Sequence, residues 1–501
     1  MKVDNAINSV VILGGGTAGW MTAISLAKYA QTQPLKITLI QSNEIETIGV
    51  GEATLPNIVD FNYQLGIDEK EFIEQTEASF KLGIEFKDWY KPAHAFFHPF
   101  ADYGMKVKGV DFHHFYHKAK QQGLDAELAD FCLSTQLASK GKFYIPQKID
   151  NDLEDFGYAY HFDAGLYAEF LKKKSIVMGV QHLIATVEKV TTDSESGFIQ
   201  SLTLNSGEVI ESDLFIDCSG FTGKLIEQTL EVGYEHWNEW LLCDRAVAVH
   251  SQGHDEVTPF TVSKAKSAGW QWRIPLQHRV GNGYIYSSQH ISDEDAKQSL
   301  LADLDGDAIT EPRVIKFHPG RRNKIWHKNC FAIGLSSGFI EPLESTSISL
   351  IQSAISKLLT FFPDKSFHQA DIDEVNRLHN LEVERVRDFI ILHYKLTQRD
   401  DSDFWLKCQS MDIPESLRHK IALYQSRGHI NQQECESFEQ SSWLSMFAGF
   451  CMTPDRVDPR TMHVNDTALL SDLRKIKQFI EEVANKAPTH REFINTLKLK
   501  R

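Results

Sequence analysis

A short apolar strand followed at once by a glycine-rich turn is the feature that most constrains this sequence. Residues 9–13 (SVVIL) precede the motif Gly14-x-Gly16-x-x-Gly19, a segment of helical apolar spacing comes next, and residues 35–40 (LKITLI) predict a second strand. The first glycine permits a tight turn, the second lets a pyrophosphate approach, and the third lets helix and strand pack. The pattern predicts a βαβ unit that binds a dinucleotide, and a glycine turn required only for packing is the alternative.

The end of the second predicted strand departs from the usual dinucleotide pattern. An acidic residue there normally binds the ribose hydroxyls, whereas this sequence has Gln41. Two later segments look like further elements of FAD-binding proteins, namely residues 215–220 (FIDCSG), which contain Asp217, and residues 331–339 (FAIGLSSGF), expected as a strand, a turn and a helix. Three such elements favour FAD over NAD, and ordinary strand ends are the alternative for the last two.

The composition of the chain limits the classes of partner that it is expected to bind. Its 501 residues include 52 Lys and Arg against 68 Asp and Glu, and the net charge of −16 argues against nucleic acid and anionic membranes as main partners. No stretch reaches 18 apolar residues, the N-terminus lacks a signal-peptide pattern, and the seven cysteines form no CxxC pair. We therefore expect a cytoplasmic protein without a membrane span or a metal site.

Four segments of the sequence occur together in one protein family. They are GGGTAGWMTA at 14–23, IGVGEATLPN at 48–57, WQWRIP at 270–275 and GFIEPLEST at 338–346. With them, the sequence resembles the flavin-dependent halogenases of the tryptophan halogenase family from residue 6 to about residue 460. WQWRIP is the more specific segment, and the resemblance implies that Trp270, Trp272 and Pro275 form a gate that separates halogenases from flavin hydroxylases. From the residues alone, two indoles on one face of a strand are more often core.

The remaining pattern predicts a mixed α/β fold. Residues 182–220 resemble a β-meander that ends in a buried strand at 214–216, and the segments after about Thr346 are helical by period. We expect a flavoprotein-monooxygenase-like, Rossmann-type FAD-binding domain with a β-meander, plus a mostly helical C-terminal substrate module. The expected modules are 1–350, which is discontinuous and has a substrate-side insertion near 86–150, and 351–501.

The resemblance implies that reduced FAD, O2 and chloride or bromide form hypohalous acid, which a lysine directs at an aromatic carbon. Lys81 matches that lysine, and its amine is a strong donor and, when desolvated, a nucleophile. Glu344 matches a glutamate beside the reacting ring, where a carboxylate stabilises a cationic intermediate and accepts its proton. From the residues alone, Lys81 and nearby Lys87 are solvated surface groups, and Glu344 or Glu341 is an acid at a helix entry.

The resemblance also assigns cofactor and halide contacts. Thr346 and Ser347 would present backbone N–H groups to halide, although the second position is usually glycine in the family. The change keeps a donor but loses the conformational freedom of glycine. The matched cofactor positions are Gly14, Gly16, Thr17, Ala18, Gly19, Gln41, Val50, Gly51, Glu52, Ala53, Val187, Asp217, Leu335 and Ile348.

The substrate positions match the family only in part. His98-Pro99-Phe100 matches a family H-P-F that sandwiches the substrate by ring stacking, and a proline-fixed loop is the alternative. Phe438 stands near a family tryptophan. Members that act on free tryptophan also carry a Tyr-Tyr pair and an acid that bind the amino acid group. Here the Tyr-Tyr pair is absent, and Gln433 stands near the expected acid, with Glu434 adjacent. The sequence therefore predicts indole or another electron-rich aromatic as substrate.

The source of the reduced flavin is predicted to be a second protein. The sequence contains no second glycine motif for NAD(P)H, which indicates a separate flavin reductase that supplies FADH2 by diffusion. The sequence is compatible with a homodimer. Two other functions remain open at this point, a flavin-dependent aromatic hydroxylase and a non-catalytic flavin-binding protein.

Overall fold

The chain divides into two units that alternate along the sequence. The computed structural model describes residues 5–32, 34–43, 51–146, 151–253 and 255–499. Unit 1 comprises Met1–Ala78, Phe162–Asn238 and Lys316–Glu384, and unit 2 comprises Ser79–His161, Glu239–Ile315 and Arg385–Arg501. The units follow a different partition from the expected modules 1–350 and 351–501, which stay a prediction.

The strands are short and mostly buried on at least one face. In chain order they are β1 (Ser9–Leu13), β2 (Lys36–Gln41), β3 (Gly51–Ala53), β4 (Ser79–Lys81), β5 (Gly83–Lys87), β6 (Ala95–Pro99), β7 (Ala159–Asp163), β8 (Gln181–Ile184), β9 (Val187–Thr192), β10 (Ile199–Leu204), β11 (Val209–Glu211), β12 (Leu214–Asp217), β13 (Tyr234–His236), β14 (Arg245–Gln252), β15 (Thr261–Lys266), β16 (Gly269–Pro275), β17 (Arg279–Tyr286), β18 (Arg313–Lys316), β19 (Gly320–Arg322), β20 (Trp326–His327), β21 (Cys330–Ala332) and β22 (Gly338–Phe339).

The helices are concentrated in the C-terminal third of the sequence. In chain order they are α1 (Thr17–Tyr29), α2 (Asn57–Leu65), α3 (Glu69–Thr76), α4 (Phe112–Gln121), α5 (Leu133–Ser139), α6 (Ala164–Val177), α7 (Asp293–Ala302), α8 (Thr346–Thr360), α9 (Gln369–Lys395), α10 (Asp403–Ser410), α11 (Glu415–Arg427), α12 (Gln440–Gly449), α13 (Asp466–Lys486) and α14 (His490–Leu499). Within the described residues, no helix is both long enough and apolar enough to cross a membrane.

Unit 1 is built on a mostly parallel sheet. Its strand order is β20-β21-β12-β1-β2-β8, and only β20 runs antiparallel to its neighbour. The central strand β1 is buried almost throughout, because helices and strands cover both faces of such sheets. The meander β9-β10-β11 packs Leu202 into one apolar cluster with Val11 and Ile40. The predicted Rossmann-type sheet with a β-meander is therefore confirmed.

Unit 2 contains a seven-stranded sheet of order β18-β14-β17-β16-β15-β5-β6. The pair β15 and β5 is parallel, and the pairs formed by β14, β15, β16 and β17 are antiparallel. Rings from helices pack beside this sheet, where Trp89 lies 5.6 Å from Trp405 and 5.3 Å from Tyr394 between ring centroids. Burial of large rings of this kind dominates core energetics.

The helices predicted after Thr346 are confirmed, but the segment 331–339 differs from the expected strand, turn and helix. After β21, a short 3-10 turn at Gly334–Ser336 leads into β22, and the helix α8 begins only at Thr346. Gly334 has φ +78° and Gly338 has φ +149°, and these backbone angles cannot continue a right-handed helix.

One ion pair of unit 2 is almost completely withdrawn from water. Lys420 Nζ on α11 lies 2.7 Å from Glu436 Oε2, and both side chains are 2% exposed. The same Nζ donates to the carbonyl oxygen of Asn431 at 2.9 Å and lies 4.0 Å from the centre of the Trp443 ring on α12. Lys420 therefore fixes the loop between the two helices.

Replacing Lys420 by methionine should destabilise the protein by about 3–5 kcal/mol, because Glu436 would keep a buried charge without its partner. Lys475→Met is the matched control, since the pair Lys475–Asp472 is 73% and 66% exposed and such pairs contribute about 0–1 kcal/mol. The measurement is the denaturant midpoint followed by tryptophan fluorescence. The double variant Lys420→Met/Glu436→Gln should recover part of the loss, and equal midpoints for the two single lysine variants would contradict the prediction.

Candidate active site

The glycine turn lies at the carboxyl end of β1 in unit 1. Gly14 has φ +121°, and a Cβ atom there would stand 2.1 Å from the carbonyl oxygen of Cys218, so no other residue fits. A Cβ atom at Gly19 would stand 1.9 Å from the carbonyl oxygen of Gly14. At Gly16, the N-cap of α1, no atom lies within 4 Å of the Cβ position. The first and third glycines are required by close packing, and the second faces open space before Thr17 and Ala18 begin the helix.

Asp217 organises the second predicted element. Its buried carboxylate accepts hydrogen bonds from the backbone N–H groups of Ser219, Leu225 and Ile226 at 2.9, 2.8 and 2.8 Å. This set of donors accounts for the aspartate at the end of β12, because a carboxylate is the side chain that can satisfy several buried N–H groups at once. Asp217 thereby shapes the turn that contacts Gly14.

The third element meets the first two. The backbone N–H of Ile333 donates to the carbonyl oxygen of Asp217 at 2.9 Å, and a Cβ atom at Gly334 would stand 2.8 Å from Cβ of Ala18. Leu335 lies half-buried in the same turn. All three elements therefore converge at the carboxyl ends of the parallel strands, which is where open α/β sheets bind their ligands.

Gln41 supplies a polar atom next to this turn. It is the last residue of β2, and a Cβ atom at Gly15 would stand 2.3 Å from its Oε1. That oxygen is buried and makes no hydrogen bond to the described residues. Because buried polar atoms are nearly always satisfied, Oε1 is an acceptor available to a bound hydroxyl group.

The other predicted cofactor residues are distributed over β3, β9 and α8. Gly51, Glu52 and Ala53 form β3, while Val50 lies outside the described residues. Burial raises the pKa of the Glu52 carboxyl to about 7. The side chain of Val187 packs in the apolar cluster of the meander, so it is used by the core. Ile348 is buried in the first turn of α8.

The N-terminus of α8 carries the residues predicted for halide and for general base. Ser345 has φ +61°, Glu344 before it is fully buried, and the helix begins at Thr346 and Ser347. The first N–H groups of a helix have no partner within it, and the helix dipole favours an anion there. Thr346 Oγ1 is buried and has no hydrogen-bond partner in the described part of the chain. Glu341, the alternative acid, is also buried in the loop before the helix.

In unit 2, Lys81 ends the three-residue strand β4 and is fully buried. It lies opposite Ala159 of β7, and its Nζ is 5.0 Å from the centre of the Phe100 ring, a cation–π distance. The side chain of Lys87, six residues after Lys81, is 44% exposed and pairs with Glu85. The surface interpretation is therefore wrong for Lys81, although it holds for Lys87.

Two of the predicted substrate residues of unit 2, His98 and Phe438, lie in one aromatic cluster. His98 and Pro99 end β6, and the His98 ring lies 6.4 Å from Phe438 and 5.9 Å from Phe389 between centroids. Phe389 and Phe438 stack at 3.9 Å. Phe389 was not predicted, because within the long helix α9 its apolar spacing marks it only as a core position.

The two tryptophans of WQWRIP differ in their surroundings. Both lie on β16 with ring centroids 6.1 Å apart. Trp270 is buried and contacts Trp89 at 6.4 Å, so it belongs to the core. Trp272 is half-buried and rests on Gly283, where a Cβ atom would stand 2.0 Å from its ring. Pro275 ends the strand, and its carbonyl oxygen accepts a hydrogen bond from Ser79.

The sequence of this chain is similar to those of tryptophan halogenases. The family model described as tryptophan halogenase matches residues 9–466. The tryptophan 6-halogenase ThaL from Streptomyces albogriseolus is 36% identical over 90% of this chain and 91% of its own length. The tryptophan 7-halogenase RebH from Lentzea aerocolonigenes is 33% identical over 92% of this chain and 93% of its own length.

Solved structures of similar proteins have the same fold. The flavin-dependent halogenase BrvH from Brevundimonas sp. BAL3 matches with a TM-score of 0.96 at 46% identity and covers 98% of this chain and 99% of its own. A flavin-dependent halogenase from Xanthomonas campestris matches with a TM-score of 0.95 at 43% identity over 98% of both chains. These relatives are described as halogenases, which are enzymes. They give no support to the alternative that the chain is a flavin-dependent aromatic hydroxylase. The chain belongs to the tryptophan halogenase family of flavin-dependent halogenases.

Proposed function

We propose that this chain uses FADH2, O2 and chloride or bromide to halogenate indole or a similar electron-rich aromatic through Lys81. The observation that carries the proposal is the fully buried Lys81 with Phe100 5.0 Å from its Nζ. Lysine is almost never fully buried unless it is paired, and this buried lysine stands at the position that matches the lysine of the family. The complete reaction is FADH2 + O2 + X− + H+ + ArH → FAD + ArX + 2 H2O.

The residues of unit 1 fit FAD. The turn from Gly14 to Gly19 and the N-terminus of α1 would receive the pyrophosphate, and Gln41 Oε1 would accept from a ribose hydroxyl. Bound FADH2 supplies two electrons that convert O2, halide and a proton into hypohalous acid and water. Thr346 and Ser347 would hold halide through backbone N–H groups at the start of α8, so the negative net charge of the chain does not oppose this site.

Lys81 would transfer the halogen from hypohalous acid to the substrate. Either its amine donates a hydrogen bond to the oxygen of HOX, or the N–H becomes N–X with loss of water and the halogen then passes to the ring. In both versions a C–X bond forms, the C–H bond breaks, and the ring proton goes to a base. We assign that base to Glu344, whose carboxylate is buried before α8.

The substrate residues favour an aromatic compound without an amino acid group. His98 and Phe438 offer rings for stacking, and Phe389 fixes Phe438 from one side. The region where relatives of the free-tryptophan type carry an acid contains Glu436, whose charge is already paired with Lys420. An ammonium group bound here would therefore have to compete with a buried lysine.

The partners and location remain predictions from the sequence. Reduced flavin would come from a separate reductase, which needs no stable complex because FADH2 can diffuse. The substrate would be a small aromatic compound. A homodimer and a cytoplasmic location are part of the same proposal.

Replacing Lys81 by alanine should reduce the formation of halogenated indole by about 100-fold or more, because the group that directs the halogen is lost. Lys87→Ala is the matched control, since that lysine is exposed and should leave the rate unchanged. The measurement is bromoindole by mass spectrometry with FADH2 and bromide supplied. A hydroxylated product without bromine would contradict the proposed function, and an unchanged rate in Lys81→Ala would remove the lysine from the mechanism.

The value of kcat/KM should be at least about tenfold higher for indole than for free tryptophan, because the ammonium and carboxylate groups would lose water without gaining partners. Competition between the two substrates in one reaction gives this ratio directly. Chloride and bromide supplied together report the halide preference in the same experiment. A preference for tryptophan would show that other residues bind its amino acid group.

A further inference from the structure

The strand that carries Lys81 is too short to be rigid by itself. β4 has three residues and pairs along one edge with β7 through the positions of Ser79, Phe80 and Lys81. A three-residue ladder alone gives little stability. The position of a buried amine on such a strand therefore depends on what satisfies the remaining backbone groups.

The two residues that flank Lys81 each direct their backbone N–H group to the edge of β4 that faces away from β7. The N–H of Phe80 donates to Nε2 of His490 at 3.1 Å, and the N–H of Leu82 donates to the carbonyl oxygen of Pro259 at 2.7 Å. Successive N–H groups of a strand alternate in direction, so these two lie on the same edge. His490 is thus a side chain that completes the edge of a strand, a place usually taken by another strand.

The imidazole of His490 is held in the form that can accept this bond. Its Nδ1 lies 2.8 Å from the carbonyl oxygen of Val257, which can only accept, so the proton is on Nδ1 and Nε2 offers its lone pair. The ring is buried, and burial lowers the pKa of His490 to about 4. If Nε2 were also protonated, the ring would have no lone pair left to accept the N–H of Phe80.

His490 is itself fixed by its surroundings in unit 2. Its backbone N–H donates to the carbonyl oxygen of Gly141 at 2.9 Å at the start of α14. The Phe80 ring stacks on Phe143 at 4.3 Å, and Phe493 of α14 lies 5.4 Å from Phe80. The helix α14 therefore contacts both the backbone and the side chain of the residue before Lys81.

A second histidine connects the other side of the strand to WQWRIP. Ser79, which shares a face of β4 with Lys81, donates to the carbonyl oxygen of Pro275 at 2.8 Å and lies 3.3 Å from Nδ1 of His161. Since the hydroxyl proton points at Pro275, Nδ1 donates to Ser79, and Nε2 accepts from Thr261 Oγ1 at 2.9 Å.

We propose that His490 is a positioning residue for the halogen transfer: by accepting the N–H of Phe80, it fixes the strand that presents Lys81. The inference rests on the proposed function of Lys81. It assigns to α14 a part in the reaction that no pattern in its sequence indicates.

The test compares three variants of the full chain. His490→Ala removes the acceptor, His490→Gln places an amide oxygen near the former Nε2, and Phe493→Leu loosens the same ring cluster while the hydrogen bond stays. Hydrogen–deuterium exchange of the peptide that contains residues 79–82 is the first readout. Exchange should accelerate in His490→Ala, return toward the wild-type rate in His490→Gln and stay slow in Phe493→Leu. Unchanged exchange in His490→Ala overturns the inference whatever the protein catalyses.

The second readout separates positioning from loss of folded enzyme. Under a fixed supply of FADH2 and bromide, bromoindole is measured together with hypobromous acid captured by a soluble trap. The ratio of bromoindole to trapped acid should fall about tenfold in His490→Ala, because small displacements of a reacting group cost large factors in rate. It should recover in part in His490→Gln and stay unchanged in Phe493→Leu.

The outcomes distinguish this inference from the proposed function. Equal losses of bromoindole and trapped acid in His490→Ala, with an unchanged ratio, mean a structural role only and overturn the positioning role. A wild-type protein that makes no bromoindole overturns the proposed function, and the exchange experiment still decides whether His490 holds the strand of Lys81.

Discussion

The close approach of Gly14 to the carbonyl oxygen of Cys218 is the constraint on which unit 1 depends. A side chain at Gly14 would collide with backbone, so β1 and β12 can lie side by side with their turns in contact only because that position is glycine. The same contact sets where α1 begins, and the carboxylate of Asp217 holds the opposing turn in place. The end of the parallel sheet is thus shaped by close backbone contacts and by one carboxylate, which leaves Oε1 of Gln41 available to a ligand.

In unit 2 the main constraint is the burial of the Lys81 amine. Lys81 lies on a strand that has little stability of its own, and its neighbours Ser79, Phe80 and Leu82 form hydrogen bonds with groups from distant parts of the sequence. Two neutral histidines serve as acceptors or donors where a longer strand would supply backbone groups. Burial and the charge of Lys81 hold the pKa of His161 well below its usual value, so this histidine adds no second positive charge beside the amine.

The local parts of the fold could be predicted from the sequence, and the contacts could not. The glycine turn, the β-meander and α8, α9 and α13 follow from spacing and period, which act over a few residues. Lys81 and Glu344 were identified through the family resemblance alone, since a single lysine or glutamate has no pattern. Two contacts join residues that are distant in sequence, namely Phe389 with Phe438 and Lys420 with Glu436. Nothing in the sequence of the loop near Gln433 indicates which of its acidic residues is buried. The prediction of a strand, a turn and a helix at 331–339 from likeness to FAD-binding proteins is wrong, because the positive φ angles of Gly334 and Gly338 end the regular backbone before a helix can begin.

The bond between Phe80 and His490 joins residues 410 positions apart. During synthesis at about 5–20 residues per second, the histidine follows the lysine strand by roughly 20–80 seconds. Throughout that interval the edge of β4 lacks its acceptor, and the ring of Phe80 lacks the cover of α14. A nascent chain can thus complete the parallel sheet of unit 1 well before the lysine is fixed. On our proposal for His490, Lys81 is fixed only after α14 has packed, so an incompletely folded chain could not yet direct hypohalous acid at a substrate.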